Sequence, residues 1–266
     1  KAETFCKEDL DENIVVKVLE IFKEYKVPMI IETKSHYVGL QRYMDILKDM
    51  DIVIIVAVMG GSDTLNYKLE PNCPPPSMRW ALVKELNAKG IKTGVRWEPI
   101  LIGINSTDEM LEDYAKNALR SGAFHVSFYN YRSSNPKRAQ IEFESRGFNY
   151  IRLLENNLDE GWRKVGSKFL SLLQKYGVRA SSPDFINFPF DSSCESCCGV
   201  DGWFTPYQFT FQHSISIIKE KGHVAWSDME EISFREPEAY ERMKKIWNGI
   251  KTGGYYSLAD SPEILV

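Results

Sequence analysis

Four short apolar runs, each ending abruptly in polar or glycine-rich residues, constrain the fold of this chain more than any other feature. The first is Met29-Ile30-Ile31 in the stretch VPMIIETKS, which breaks into Glu32-Thr33-Lys34-Ser35. The others are IVIIVAVM at 52–59, IKTGVRW at 91–97 and FHVSFY at 124–129. Apolar runs of this length, bounded by turn residues, read as buried strands of a parallel sheet. They recur at roughly thirty-residue intervals, which suits right-handed strand–helix–strand units. The pattern predicts strands at 27–33, 52–59, 91–97 and 123–129, parallel, adjacent in chain order, with helices outside. In an α/β barrel the C-terminal ends of such strands form the active face. Three more polar ends stand there: Gly60-Gly61-Ser62-Asp63, Arg96-Trp97-Glu98-Pro99 and Asn130-Tyr131-Arg132.

Between the runs, apolar positions at helical spacing predict helices over 11–25 and 36–50. Asp9 or Asp11 would cap the first. Residues 62–76 read as a loop, because the prolines at 71 and 74–76 forbid helix. Ser77 is placed to cap a helix over 78–88, which Gly90 ends. A helix over 109–120 precedes the fourth strand. Beyond Arg132 the rhythm loosens. A polar, basic loop is expected at 133–138, a helix at 158–176, a short strand at 178–180 and a Cys- and aromatic-rich loop at 183–203. Helices at 209–221 and 236–249 and a tail at 251–266 complete the reading. It divides the chain into a partial barrel over 1–132 and an α-rich, cysteine-containing extension over 133–266.

The 266 residues suffice for one barrel-sized domain or two small ones. A formal net charge of -4 excludes a uniformly basic nucleic-acid surface and leaves room only for a local groove. No apolar run approaches a membrane span, and no secretory signal is visible, so a cytoplasmic protein is expected. Of the five cysteines, three are clustered and the total is odd. Without a secretory context that pattern points to metal or redox chemistry rather than a disulfide framework.

The strand ends offer several candidates, each with a plainer alternative. Lys34 stands where a buried strand meets solvent, flanked by Glu32 and Ser35; it serves a site, is a solvated loop lysine, or is simply neutralised by Glu32. Arg96 and Glu98 share one face of an extended chain with Trp97 opposite. They hold a ligand or form an interior ion pair. Gly60 and Gly61 let a ligand approach the backbone or make a turn. Asn130 and Arg132 mark the fourth strand end, where Tyr129 and Tyr131 line a pocket or pack. His125, inside an apolar strand, reads as a core histidine. In Cys194-Glu195-Ser196-Cys197-Cys198-Gly199, CxxC spacing lets two thiolates reach one ion or cluster. Cys194, Cys197 and Cys198 are therefore candidate metal ligands near the barrel mouth. A fourth ligand would come from Cys6, Cys73, His213, a substrate or an exchangeable group. The alternatives are a redox thiol pair and a disulfide.

Three stretches together resemble the radical S-adenosylmethionine (SAM) superfamily, in its spore photoproduct lyase-like branch. They are Ile31-Glu32-Thr33-Lys34-Ser35, Leu69-Glu70-Pro71-Asn72-Cys73-Pro74, and the run from Gly94 to Asn105. Order and spacing agree from about residue 10 to 130. The resemblance implies an α/β fold, a partial (β/α) TIM-type barrel of radical SAM kind, and a lyase-like enzyme. Its chemistry would be reductive cleavage of SAM to a 5′-deoxyadenosyl radical that takes hydrogen from a nucleic-acid base, a modified peptide or a metabolite. It implies that Lys34 meets the SAM carboxylate. Glu32, Ser35, Gly60, Gly61, Arg96, Glu98 and Asn130 would complete the cofactor site. Cys73 and Tyr129 become candidate catalytic residues, Cys73 as a hydrogen-donor thiol, with a structurally incidental loop thiol as its plainer reading. The family's [4Fe–4S] cluster sits on a CxxxCxxC loop, and no such motif occurs in this chain. The cluster ligands and the first two strands are expected before Lys1 or from a partner chain, and a second metal or iron–sulfur site at the Cys194–Cys198 loop. The competing functions are a non-catalytic metal-binding partner subunit and a non-radical barrel enzyme; against the latter, the strand ends lack the His and Asp sets that metal-dependent hydrolases need.

Overall fold

The computed structural model describes residues 3–183, 197–200, 217–223, 225 and 227–228. The chain divides into two compact units, Lys1–Asp201 and Gly202–Val266. The first is an α/β unit built on a five-stranded sheet in the order β1-β2-β3-β4-β5. The strands are β1 (Met29–Thr33), β2 (Ile52–Ala57), β3 (Thr93–Ile100), β4 (Val126–Asn130) and β5 (Ala180–Ser181). Every neighbouring pair is parallel. The four expected strands are thus neighbours in chain order, and the short fifth one joins beyond them. The nine α-helices among the described residues of the first unit are α1 (Asp9–Glu12), α2 (Ile14–Glu24), α3 (Gln41–Leu47), α4 (Asp63–Leu69), α5 (Pro76–Ala88), α6 (Asp108–Arg120), α7 (Pro136–Ser145), α8 (Tyr150–Asn156) and α9 (Asp159–Lys175). None is long and apolar enough to cross a membrane.

Strand parity sorts the side chains onto two faces. Ile52, Ile54 and Val56 of β2, Val95 and Trp97 of β3, Val126 and Phe128 of β4 and Ala180 of β5 enter one core with the helices. Its centre is aromatic. Trp97 stacks on Tyr114 of α6 at 4.4 Å and meets Phe169 of α9 edge-on at 5.1 Å. The other parity carries Val53, Ile55 and Ala57 of β2 together with a polar set: Glu32, Arg96, Glu98, His125, Ser127, Tyr129 and Ser181. Register aligns them, since Ala57 pairs with Arg96, Arg96 with Ser127, and Ser127 with Ser181. His125 is fully buried and hydrogen-bonded to Ser181 at 2.9 Å, as a core histidine should be.

Local departures from expectation have identifiable causes. The helix expected at 11–25 is split, because Asn13 adopts a left-handed conformation (φ 56°). Asp9 reaches across that break to accept the Val15 amide at 2.9 Å and the Tyr43 hydroxyl at 2.7 Å. The helix expected at 36–50 starts instead as a 3₁₀ turn, His36–Gly39, and restarts as α3 after an extended Leu40. The loop expected at 62–76 contains α4: the prolines begin only at Pro71, and Ser62 caps the helix by accepting from Leu65 N at 3.2 Å. Ser77 does not cap α5. It bonds Asp63 through its amide (3.0 Å) and its hydroxyl (2.6 Å), and Pro75 takes the cap position. The loop expected at 133–138 gives way to α7 at Pro136, with Asn135 as its cap.

The first compact unit runs on past Arg132 to Asp201. Helix α9 packs on α6, and β5 extends the sheet beyond β4. In the second unit residues 217–221 are helical, and Lys221 pairs with Asp228 at 2.9 Å. The remainder of the 209–221 helix, the 236–249 helix, the 251–266 tail, His213 and Cys194 lie outside the described residues, as does most of the 183–203 loop.

Candidate active site

A cavity of about 1040 Å³ opens at the C-terminal ends of β1, β2 and β3. Glu32, Lys34, Ser35, Cys73, Arg96 and Glu98 all line it, around a floor that includes Ile55 and Ala57. Six candidate residues from three separate stretches therefore meet in one place. The reason is topological: parallel strands deliver all their C-terminal ends to the same side.

The charges pair differently from the nearest-neighbour expectation. Lys34 is held by Glu70, not Glu32. Glu70 closes α4 and reaches Arg79 of α5 at 2.7 Å through its second oxygen. Arg79 is wholly buried; its other N–H groups donate to Pro74 O at 2.6 Å and Ala57 O at 2.8 Å. Two cations thus share the Glu70 carboxylate, with the Glu3 carboxylate on the Lys34 amide beside them. Burial alone would raise the Glu70 pKa, but Lys34 and Arg79 outweigh it and hold the carboxyl below its ordinary value. A depressed folded value means the stabilisation is full above the unfolded value and is lost as pH falls through the folded one. Acid titration of unfolding, followed by circular dichroism, should show such a loss in the wild type and a smaller one in Glu70→Gln. Equal acid loss in both would show that Glu70 contributes nothing.

Arg96 forms the second pole. Its guanidinium pairs with Glu32 at 2.6 Å and stands 3.8 Å from Glu98. It also donates to Ser127 Oγ at 3.3 Å and lies 4.8 Å over the Tyr129 ring. Glu98 projects past Arg96 with half its side chain exposed (51%). This pole therefore presents carboxylate to the cavity, while the Lys34 pole presents ammonium.

Other candidates sit elsewhere. Gly60 does not line the cavity; it backs onto Trp97, where an added Cβ would lie 1.8 Å from the indole. Gly61 needs its positive φ of 103° and faces Leu65. Asn130 ties the end of β4 to the end of α8 through Asn157 O at 3.1 Å. Tyr129 lies under Arg96 beside Cys197, on the polar face of the sheet. Cys197 and Cys198 come together on Arg96, and no group of three or more metal-binding side chains forms among the described residues.

Sequence reasoning missed Glu70 and Arg79. The signal for Arg79 was present: it occupies the buried stripe Arg79-Leu82-Val83-Leu86 of α5, where a lone charge requires a partner. Glu70 stood inside the Leu69-Glu70-Pro71 motif, but nothing local names its partners. The N-terminal segment was missed too. Glu3 accepts the Lys34 amide at 2.9 Å and the Thr33 hydroxyl at 2.7 Å, and Cys6 joins the cavity wall.

No family model and no curated protein matches this chain. Two solved structures similar to it are a domain of pyruvate-formate lyase-activating enzyme from Bacteroides vulgatus ATCC 8482 and Streptococcus suis SuiB bound to precursor peptide SuiA. The first shows 10% identity and a TM-score of 0.47 over 66% of this chain and 94% of that one. The second shows 13% identity and a TM-score of 0.44 over 66% of this chain and 37% of the SuiB chain.

Proposed function

We propose that this chain is a radical SAM enzyme, or the larger part of one, and that the cavity is its SAM site. The observation that carries the reading is the pair of opposite poles in one cavity. SAM combines a carboxylate with an ammonium and a sulfonium. Lys34, backed by Glu70 and Arg79, suits the carboxylate, and Glu98 and Glu32 suit the two cationic groups. The residues thus fit SAM in charge, and a cavity of about 1040 Å³ has the size of a small-molecule site.

The [4Fe–4S] cluster is a different matter. The described residues hold no group of three or more metal-binding side chains, and the cavity wall offers two thiols, Cys6 and Cys73. The described residues therefore do not fit a cluster. SAM held in the cavity would supply the hydrogen-atom-abstraction chemistry that the family resemblance implies. The chain's own residues would bind and orient SAM. Burial, then the charge of Glu70, pushes the Cys73 thiol up. It stays protonated at neutral pH, the form that can donate hydrogen. Burial also pushes the Tyr129 hydroxyl up, so it is a neutral phenol too.

Isothermal calorimetry with SAM tests the site. Losing one charge-assisted contact should weaken binding by about ten- to a hundredfold. That loss is expected for Lys34→Ala and for Glu98→Gln, with thermal unfolding as the control for Lys34→Ala, which deprives Glu70 of one cation. Unchanged affinity in Lys34→Ala removes Lys34 from the site; unchanged affinity in both variants removes SAM from this cavity.

A further inference from the structure

Residues 197–200 press two adjacent thiols against the polar face of the sheet. Gly199 has φ of 67°, and a Cβ there would lie 2.3 Å from the His125 ring, so the turn is seated with no room for a side chain. Cys197 Sγ and Cys198 Sγ are 3.7 Å apart, and both are free thiols. Cys198 is buried and accepts from Arg96 Nη2 at 3.3 Å. Cys197 is half-buried and stands beside the Tyr129 hydroxyl. One thiol is thus within reach of solvent, and a second stands directly behind it. Both sulfurs face hydrogen-bond donors.

Binding of a metal ion is the competing use of these thiols. Against it, the Arg96 guanidinium already occupies the Cys198 sulfur, and its positive charge opposes a cation there. An exchange reaction instead needs an accessible attacking thiol and an adjacent resolving one.

We propose that Cys197 and Cys198 form a redox-active dithiol that reduces a small-molecule disulfide. Cys197 sulfur attacks one sulfur of the reagent. The reagent's S–S bond breaks, one thiolate leaves and takes up a proton, and a mixed disulfide remains on Cys197. Cys198 then gives up its proton and attacks the Cys197 sulfur, expelling the second thiolate. The cysteine pair loses two electrons and two protons and closes a vicinal disulfide. The reagent gains both and leaves as two thiols. Arg96 and Tyr129 act as positioning donors to sulfur. Nothing in this step depends on the SAM reading.

The test uses the whole chain, reduced and desalted without oxygen, then mixed with glutathione disulfide and mapped by peptide mass spectrometry. The expected product is a Cys197–Cys198 disulfide with release of two glutathiones per chain. Cys198→Ser should stop at a glutathione adduct on Cys197. Cys197→Ser should lose both adduct and ring, because buried Cys198 is not reached. Cys194→Ser should leave ring closure unchanged. The wild-type map is decisive without any variant. Absence of the ring overturns the proposal, as does a Cys194–Cys197 disulfide in its place. Iron or zinc that co-purifies, shields both thiols from reagent and is lost in Cys197→Ser also overturns it, in favour of metal ligation.

Discussion

Arg79→Met is expected to destabilise the first unit by about 3–5 kcal/mol, the usual consequence of breaking a buried ion pair by removing one partner. Arg79 is fully buried, and its guanidinium satisfies three acceptors on three segments: Ala57 O at the end of β2, Pro74 O in the following loop and the Glu70 carboxylate. Its loss leaves two carbonyls with a lost donor and Glu70 with Lys34 as its one counter-charge. Lys34 is 41% exposed and cannot replace a buried guanidinium. The double variant Arg79→Met/Glu70→Gln should recover part of the loss, because it removes the stranded charge as well. Urea unfolding of the three proteins measures this. If Arg79→Met falls within about 0.5 kcal/mol of wild type, in the range of ordinary surface substitutions, the cluster has no structural role.

Gly60→Ala is the second large effect, expected to cost at least the about 1–3 kcal/mol typical of overpacking. The new methyl would overlap the Trp97 ring, with atoms at 1.8 and 2.4 Å. Trp97 cannot yield easily, because it is fully buried between Tyr114 and Phe169. Thermal unfolding without any ligand should show the loss, and tryptophan emission should shift as the ring moves. A Gly60→Ala protein with wild-type stability and weakened SAM affinity would restore the ligand-approach reading of this glycine. Gly61→Ala should also destabilise, for another reason: its φ of 103° strains any residue with a Cβ.

The strands, their order and the end at which Lys34, Arg96 and Glu98 gather were legible in the sequence. Each rests on a local property: an apolar run of strand length, a helix-sized interval and an abrupt polar end. Parity alone put Arg96 and Glu98 on one face and Trp97 on the other. Parallel topology then brought Lys34 and Arg96 to one cavity. Element boundaries were less legible where one residue's backbone decided them, as at Asn13 and Leu40.

The pairing of the charges was decided only by the tertiary structure. Glu32 is two residues from Lys34 in sequence, yet it pairs with Arg96, because β1 and β3 flank β2 and both residues project from the same face. Lys34 pairs with Glu70, 36 residues away, and Arg96 meets Cys198 across 102 residues. Gly60 likewise looked like a turn or a ligand-facing residue until the Trp97 ring was placed against it. Backbone periodicity is written in neighbouring residues and can be read from them. Which buried charge neutralises which, and which glycine has no room for a methyl, depends on how separate elements pack, and local sequence carries no record of that distance.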